Sequence, residues 1–188
     1  MAFTSQGEAH YNAGQYQQVT QVLRPLLANP GPYQKVTGYD RGLYFLGLGN
    51  YQLDRAAEKA GTKPDEKATL ASLRALAAPA MKESSLWANA TWLLARILHQ
   101  RSEWPLANKR YSDLIAAKSP QAADSSYYRA VSLFESSSSA GEGGAGLLLN
   151  AATEFAAFSK NYPRHKFAAR AVYYEGISLF NGGSYSAA

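Results

Sequence analysis

Ala171-Val172-Tyr173-Tyr174-Glu175-Gly176-Ile177-Ser178-Leu179-Phe180-Asn181-Gly182-Gly183-Ser184-Tyr185-Ser186-Ala187-Ala188 reads A-x-Y-x-x-G-x-x-x-F-x-x-G-x-Y-x-x-A. Small and aromatic residues recur at helical spacing, close on a glycine turn, and begin again beyond it. The stretch is the first helix, turn and opening of the second helix of a two-helix unit. It predicts a chain that continues past Ala188, because an array of such units ends in a polar cap that shields its last apolar face.

The same pattern recurs upstream, anchored on a small residue at Gly7, Gly47, Ala95, Ala130 and Gly176. After Gly7 come Tyr11, Gly14, Tyr16, Val19, Leu23, Leu26 and Pro30. After Ala95 come Leu98, Ser102, Trp104, Ala107, Tyr111, Leu114 and Pro120. After Ala130 come Leu133 and Phe134, then an interruption, then Ala151, Phe155, Phe158 and Pro163. The unit at Gly47 is weakest, because Tyr51 is present but Asp54 replaces the turn glycine. The count is about four and a half helix pairs in one domain spanning 1–188.

Two antiparallel helices bury a seam only where a small residue lets a bulky neighbour settle on its backbone, so Ala130 is expected to face Ala151 and Gly176 to face Tyr185. Gly14, Gly182 and Gly183 supply the left-handed residue that ends a helix. Pro30, Pro120 and Pro163 stop the second helices, since proline cannot continue one.

Anchor spacing exceeds the ~34 residues of the ideal repeat, and two insertions account for it. The first is a charged break from Gly61 to Lys67, followed by 68–81, where Leu70, Leu73, Leu76 and Ala77 share one helical face. The second, Ser136 to Gly146, is a Gly/Ser run that buries nothing and is expected to be a flexible loop inside the fourth unit.

An all-α protein fits this composition. Aromatics make up 12% of the residues, with 13 tyrosines concentrated at helix-facing positions, while charged residues are only 18%, which leaves apolar surface for contact. No segment approaches the roughly 20 apolar residues of a membrane span, and Met1 to Gln6 lacks a basic, then apolar, export signal. Net charge is +5 and the sequence pI about 9.3. The Lys and Arg residues are scattered rather than striped, so nucleic acid is not the expected partner. Their densest group, Asn161 to Lys166, reads as a solvated turn. Cysteine is absent, which leaves no disulfide or thiolate metal site and does not decide the compartment.

Catalytic patterns are missing. His10, His99 and His165 fall in different units with no metal-ligand spacing. His10 and His99 lie on first helices beside the expected groove and read as surface or contact residues. Gly141 to Gly146 lacks the Lys-Ser/Thr of a phosphate loop, and the serines at 136–139 form no nucleophile elbow. The expectation is therefore no enzyme, no cofactor and no metal.

What remains is a surface. First helices of stacked pairs line a concave groove, and positions three before the anchor, one after it and four or five after it face inward. That register selects Tyr11, Tyr44, Leu48, Tyr51, Trp92, Arg96, His99, Tyr127, Val131, Phe134, Tyr173 and Phe180, with Asn12, Gln52, Gln100, Glu135 and Asn181 interleaved. Rings alternating with amides suit an extended or helical peptide. For Tyr127 and Tyr173 core and groove both stay open, because Tyr128 and Tyr174 follow them and only one of each pair can point inward.

Phe155-Ala156-Ala157-Phe158-Ser159-Lys160-Asn161-Tyr162-Pro163, followed by Ala168, Ala171, Tyr173 and Gly176, resembles the bacterial envelope subgroup of tetratricopeptide-repeat proteins. Its members include the coordinator of the Tol-Pal system and the lipoprotein of the outer-membrane barrel-assembly machinery. The match covers 151–188 well and the remainder at the level of general repeat spacing. It implies a right-handed α-α superhelix, a protein-binding scaffold and a periplasmic or outer-membrane-associated setting, with the cytoplasm as the alternative. The long insertions and weak second unit depart from both members. The competing reading is the helical domain of a larger secretion, polysaccharide-export or peptidoglycan-processing protein. Self-association through Phe180 and Tyr185 at the uncapped end is a further expectation.

Overall fold

A computed structural model describes residues 2–184. All regular structure among them is helical: α1 (Ala2–Asn12), α2 (Tyr16–Leu23), α3 (Pro25–Ala28), α4 (Tyr39–Lys59), α5 (Lys67–Leu76), α6 (Trp87–Gln100), α7 (Trp104–Ala116), α8 (Ala122–Ser137), α9 (Gly144–Asn161) and α10 (Ala168–Asn181), with single 3-10 turns at Pro79–Met81 and Gly141–Gly143. The chain forms two compact units, Met1–Leu94 and Ala95–Ala188, and the division falls within α6.

The helices end in a repeated way that local chemistry explains. At Gly14, Gly61 and Gly183 the backbone turns left-handed, with φ of 72°, 75° and 85°. In each case the next N–H reaches back five residues, as in Gln15 to the His10 carbonyl, Thr62 to Ala57 and Ser184 to Leu179. This bond satisfies a carbonyl that the helix end would otherwise leave unpaired. Ser102 and Lys118 make the same closure without a glycine, at φ 59° and 50°, donating Glu103 N–H to Leu98 and Ser119 N–H to Leu114. Gly182, expected as a left-handed turn residue, instead keeps right-handed geometry at φ −79°. A Cβ there would lie 2.9 Å from Leu149 Cδ2, so this glycine serves close packing of α10 on α9.

In the first unit α4 packs against α1, α2, α3 and α5. Its glycines allow this: a Cβ on Gly42 would meet Leu26, one on Gly47 would meet Leu73 and one on Gly49 would meet Val19, each inside 3.0 Å. Asp54 does not end α4, which runs on to Lys59 and closes at Gly61. Asp54 instead anchors the start of α5, accepting from Thr69 Oγ1 at 2.5 Å and Glu66 N–H at 3.4 Å. The segment read as an insertion is therefore the helix partner of α4. Leu70, Leu73, Leu76 and Ala77 are all buried, as their spacing predicts.

Gly7 is a tight anchor, because its Cβ would lie 2.5 to 2.8 Å from three atoms of Leu23, itself fully buried. Gly7→Ala is expected to destabilise by about 1–2 kcal/mol even though alanine favours helix, because overpacking outweighs the propensity gain. Urea titration checks this, and Leu23→Val should restore part of the loss. Equal stability of Gly7→Ala and wild type would show that the seam has slack.

In the second unit α7 packs on α8, α8 on α9 and α9 on α10. Its core gathers Tyr127, Ala130, Ala151, Phe155, Phe158 and Ala171, so Ala130 and Ala151 are buried together as expected. The Gly/Ser run expected as a loop is shared out: Ser136 and Ser137 finish α8, and Gly144 to Gly146 begin α9. Gly144 is buried because a Cβ would sit 2.7 Å from the Ser137 carbonyl oxygen. The expected pairing of Gly176 with Tyr185 lies outside the described residues, as does the Tyr185 part of the uncapped end.

Candidate functional site

The second unit holds a cleft of about 400 Å³. Helix α6 supplies Arg96, His99 and Gln100, which share one face at three- and four-residue spacing. Helix α8 supplies Tyr127, Tyr128, Val131 and Glu135, and α10 supplies Arg170 and Tyr174. Ser102 and Trp104, at the turn into α7, complete the wall.

At the base His99 is 8% exposed. Its ring meets those of Trp104, Tyr128 and Tyr111 at centroid distances of 5.2, 5.9 and 6.1 Å. His99 Nε2 lies 2.9 Å from Glu135 Oε2. Burial, reinforced by the Arg96 charge, pushes the imidazole pKa down to about 4. The ring is then neutral near pH 7 and donates its one proton from Nε2 to the Glu135 carboxylate. Burial raises the Glu135 pKa, with Arg96 pulling the other way.

Ser132 Oγ stands 3.4 Å from His99 Nδ1, which gives the outline of a Ser-His-Glu relay. The hydroxyl proton, however, goes to the Tyr128 carbonyl at 2.7 Å, and Ser132 is fully buried in α8. A nucleophile needs a reachable oxygen and a base that takes its proton. Ser132 offers neither.

Arg96 is held in place. Its Cζ sits 3.8 Å from the Tyr128 ring centroid, close enough for a cation–π contact worth about 0.5–2 kcal/mol. It also hydrogen-bonds the Tyr111 side chain, whose pKa burial raises while Arg96 opposes the shift. Tyr111 Oη reaches the Ala95 carbonyl at 3.5 Å, tying the small anchor of this unit to α7. Tyr127 is 3% exposed and stacks on Phe167 at 4.4 Å, so core and cleft share it. Burial raises its pKa, and Arg170 pulls it back.

Of the residues expected in a groove, Arg96, His99, Tyr127 and Val131 thus come together. Phe134 lies behind them against Tyr174, at 5.3 Å, while Tyr173 and Phe180 stand out in solvent at 66% and 59% exposure. In each tyrosine pair the open choice is resolved differently. Tyr127 is the buried member, shared by core and cleft, and Tyr128 the cleft wall, whereas Tyr174 stacks on Phe155 at 5.5 Å and Tyr173 is the exposed member.

In the first unit Tyr11, Tyr44, Leu48, Tyr51 and Trp92 are half-buried. Tyr11 meets Tyr16 and Phe45 at 5.6 and 5.4 Å, and burial raises the Tyr44 pKa, with Tyr11 adding to it. None of the five lines either of two depressions found in that unit. One of about 500 Å³ is bounded by Thr20, Arg24, Leu46 and Asn50, another of about 470 Å³ by Pro30, Tyr39, Ala75 and Met81.

Sequence register missed Trp104 and Arg170, and left Tyr128 and Tyr174 as the alternatives to Tyr127 and Tyr173. Arg170 and Tyr174 are four apart and so share a face of α10, a spacing that was visible. Which face turns inward was not. Elsewhere, His165 and Lys166 approach Asp124 at 3.6 and 3.2 Å, so the basic turn is partly neutralised within the chain. Among the described residues no group of three His, Asp or Glu is placed to hold a metal ion, and no helix is long and apolar enough to cross a membrane. No protein-family model matches the chain, and neither curated proteins nor solved structures provide a relative.

Proposed function

We propose that this chain is a non-enzymatic interaction scaffold of the tetratricopeptide-repeat kind, which holds a segment of another protein in the cleft of its second unit. The observation that carries the reading is the alternation of helices at that cleft. Arg96, His99 and Gln100 come from α6, Tyr127 to Glu135 from α8, and Arg170 and Tyr174 from α10, while α9 packs behind α8 and α10. Stacked helix pairs present first helices to a ligand in this way. The recurring left-handed closure of the helices supports the same reading. A preformed wall of buried rings costs little ordering entropy on binding. We place the scaffold in bacterial envelope assembly, on the resemblance of 151–188 alone.

The test is selection of peptides from a random library against the full chain. Selected peptides should lose at least 10-fold in affinity to Gln100→Trp, which fills the cleft from an exposed position. They should keep it with Gln17→Trp, an equally exposed site on α2. Peptides indifferent to Gln100→Trp would remove the cleft as the binding site.

A further inference from the structure

Resting on that reading, we propose that the cleft selects an acidic side chain of its peptide, with the carboxylate taken by the guanidinium groups of Arg96 and Arg170. Three ionised side chains line the cleft near neutral pH: Arg96, Arg170 and Glu135. Two are positive and one negative. His99 adds no charge there, because its buried ring is neutral. A cleft of about 400 Å³ is roughly 10 Å across, comparable to the Debye length at physiological ionic strength. Both arginines therefore act on whatever enters, and the ring walls weaken the competing solvation by water.

Arg96 is the preorganised member of the pair. Arg96 is laid flat on Tyr128 and bonded to Tyr111. A stacked guanidinium keeps its N–H edge in the plane, where a carboxylate is met side-on by paired donors. Arg170 is exposed at the rim and forms no ion pair among the described residues. Arg129, by comparison, is paired with Glu154, and Arg110 with Asp113.

Glu135 decides between anions. It stands in the same cleft, with one oxygen bonded to His99 Nε2. It leaves a surplus of one positive charge, which a single carboxylate balances. A phosphate dianion would leave the cleft with one negative charge in excess, and a nucleic-acid backbone would bring several charges to a site with two cations.

The experiment is titration of the 188-residue chain, followed by amide NMR shifts, with three capped pentapeptides, Ac-Ala-Leu-X-Phe-Ala-NH2, where X is glutamate, glutamine or phosphoserine. The glutamate peptide should bind at least 10-fold tighter than the glutamine peptide, and more weakly as salt rises. Arg170→Gln, at an exposed position, should bring the two together without loss of fold. Arg96→Gln should do the same if circular dichroism shows it folded. Glu135→Gln should tighten the glutamate peptide by about 2- to 5-fold by removing the opposing charge. Equal binding of the glutamate and glutamine peptides overturns the acidic preference while leaving a peptide cleft intact. Tighter binding of phosphoserine overturns it in favour of a phosphate site. Indifference to Arg170→Gln, or no saturable shift with any peptide, also overturns it. The Gln100→Trp selection separately reports whether the cleft takes a peptide at all.

Discussion

Phe155→Ala is expected to cost the second unit about 3–5 kcal/mol, the upper range for truncating a buried aromatic side chain. Phe155 is fully buried on α9, stacked on Tyr174 at 5.5 Å with planes 19° apart, and meets Tyr127 at 5.9 Å. Ala130, Ala151 and Ala171 belong to the same core. Alanines cannot rotate a side chain into the vacated space, so the cavity persists and the loss exceeds simple transfer of the ring to water. Urea unfolding followed by far-ultraviolet circular dichroism measures it. Val172→Ala, at 58% exposure on α10, is the control and should fall within about 0.5 kcal/mol of wild type. A Phe155→Ala protein as stable as that control would mean that this core is not the one holding α8, α9 and α10 together.

Acid is the second large lever. The His99 pKa is depressed from its usual 6.5 to about 4 by burial, then by Arg96. The unfolded chain therefore binds a proton that the folded chain refuses between those two values. Stability from keeping this imidazole neutral is complete above pH 6.5 and is lost as pH falls toward 4. The size is on the order of 3 kcal/mol, from a shift of about 2.5 units at 1.36 kcal/mol each. Glu135 works in the opposite direction, since its raised pKa means that protonation on the way down favours the fold. The groups facing His99 are Arg96 on α6, Trp104 and Tyr111 on α7, and Tyr128, Ser132 and Glu135 on α8. Thermal melts at pH 7, 6 and 5 should show a falling midpoint for wild type and a shallower fall for His99→Gln. That window lies above most carboxylate titrations, so the difference in slope belongs to the imidazole. Parallel slopes would mean that His99 titrates as it does in water.

The helical content was written in short-range periodicity. Leu70, Leu73, Leu76 and Ala77 fall three or four apart, and nothing but a helix buries all four on one side. Gly14 and Gly183 announced their turns because glycine pays no Cβ penalty at positive φ. Lys118 makes the same turn and was not legible as a turn residue, whereas Ser102 stood at the turn position of its unit by spacing alone, without the glycine that eases a positive φ. Their strain is offset by the packing of the helices on either side, which no local rule contains. Asp54 shows the same limit. Its place suggested the end of α4, whereas it reaches a backbone N–H and a hydroxyl across the turn, at the start of α5.

The cleft divides along the same line. By itself the sequence determined that the protein is helical, where small anchors and prolines punctuate it, and that Arg96 and His99 share a face of one helix with Gln100. Only the tertiary structure decided that Tyr128 rather than Tyr127 carries Arg96, that α10 turns Arg170 and Tyr174 inward, and that His99 is buried on Glu135. The physical reason is helix phase. Adjacent residues on a helix point about 100° apart, so local pattern narrows a face to two candidates. The choice between them is made by the neighbouring helix, through the seam where Ala130, Ala151 and Phe155 fit together.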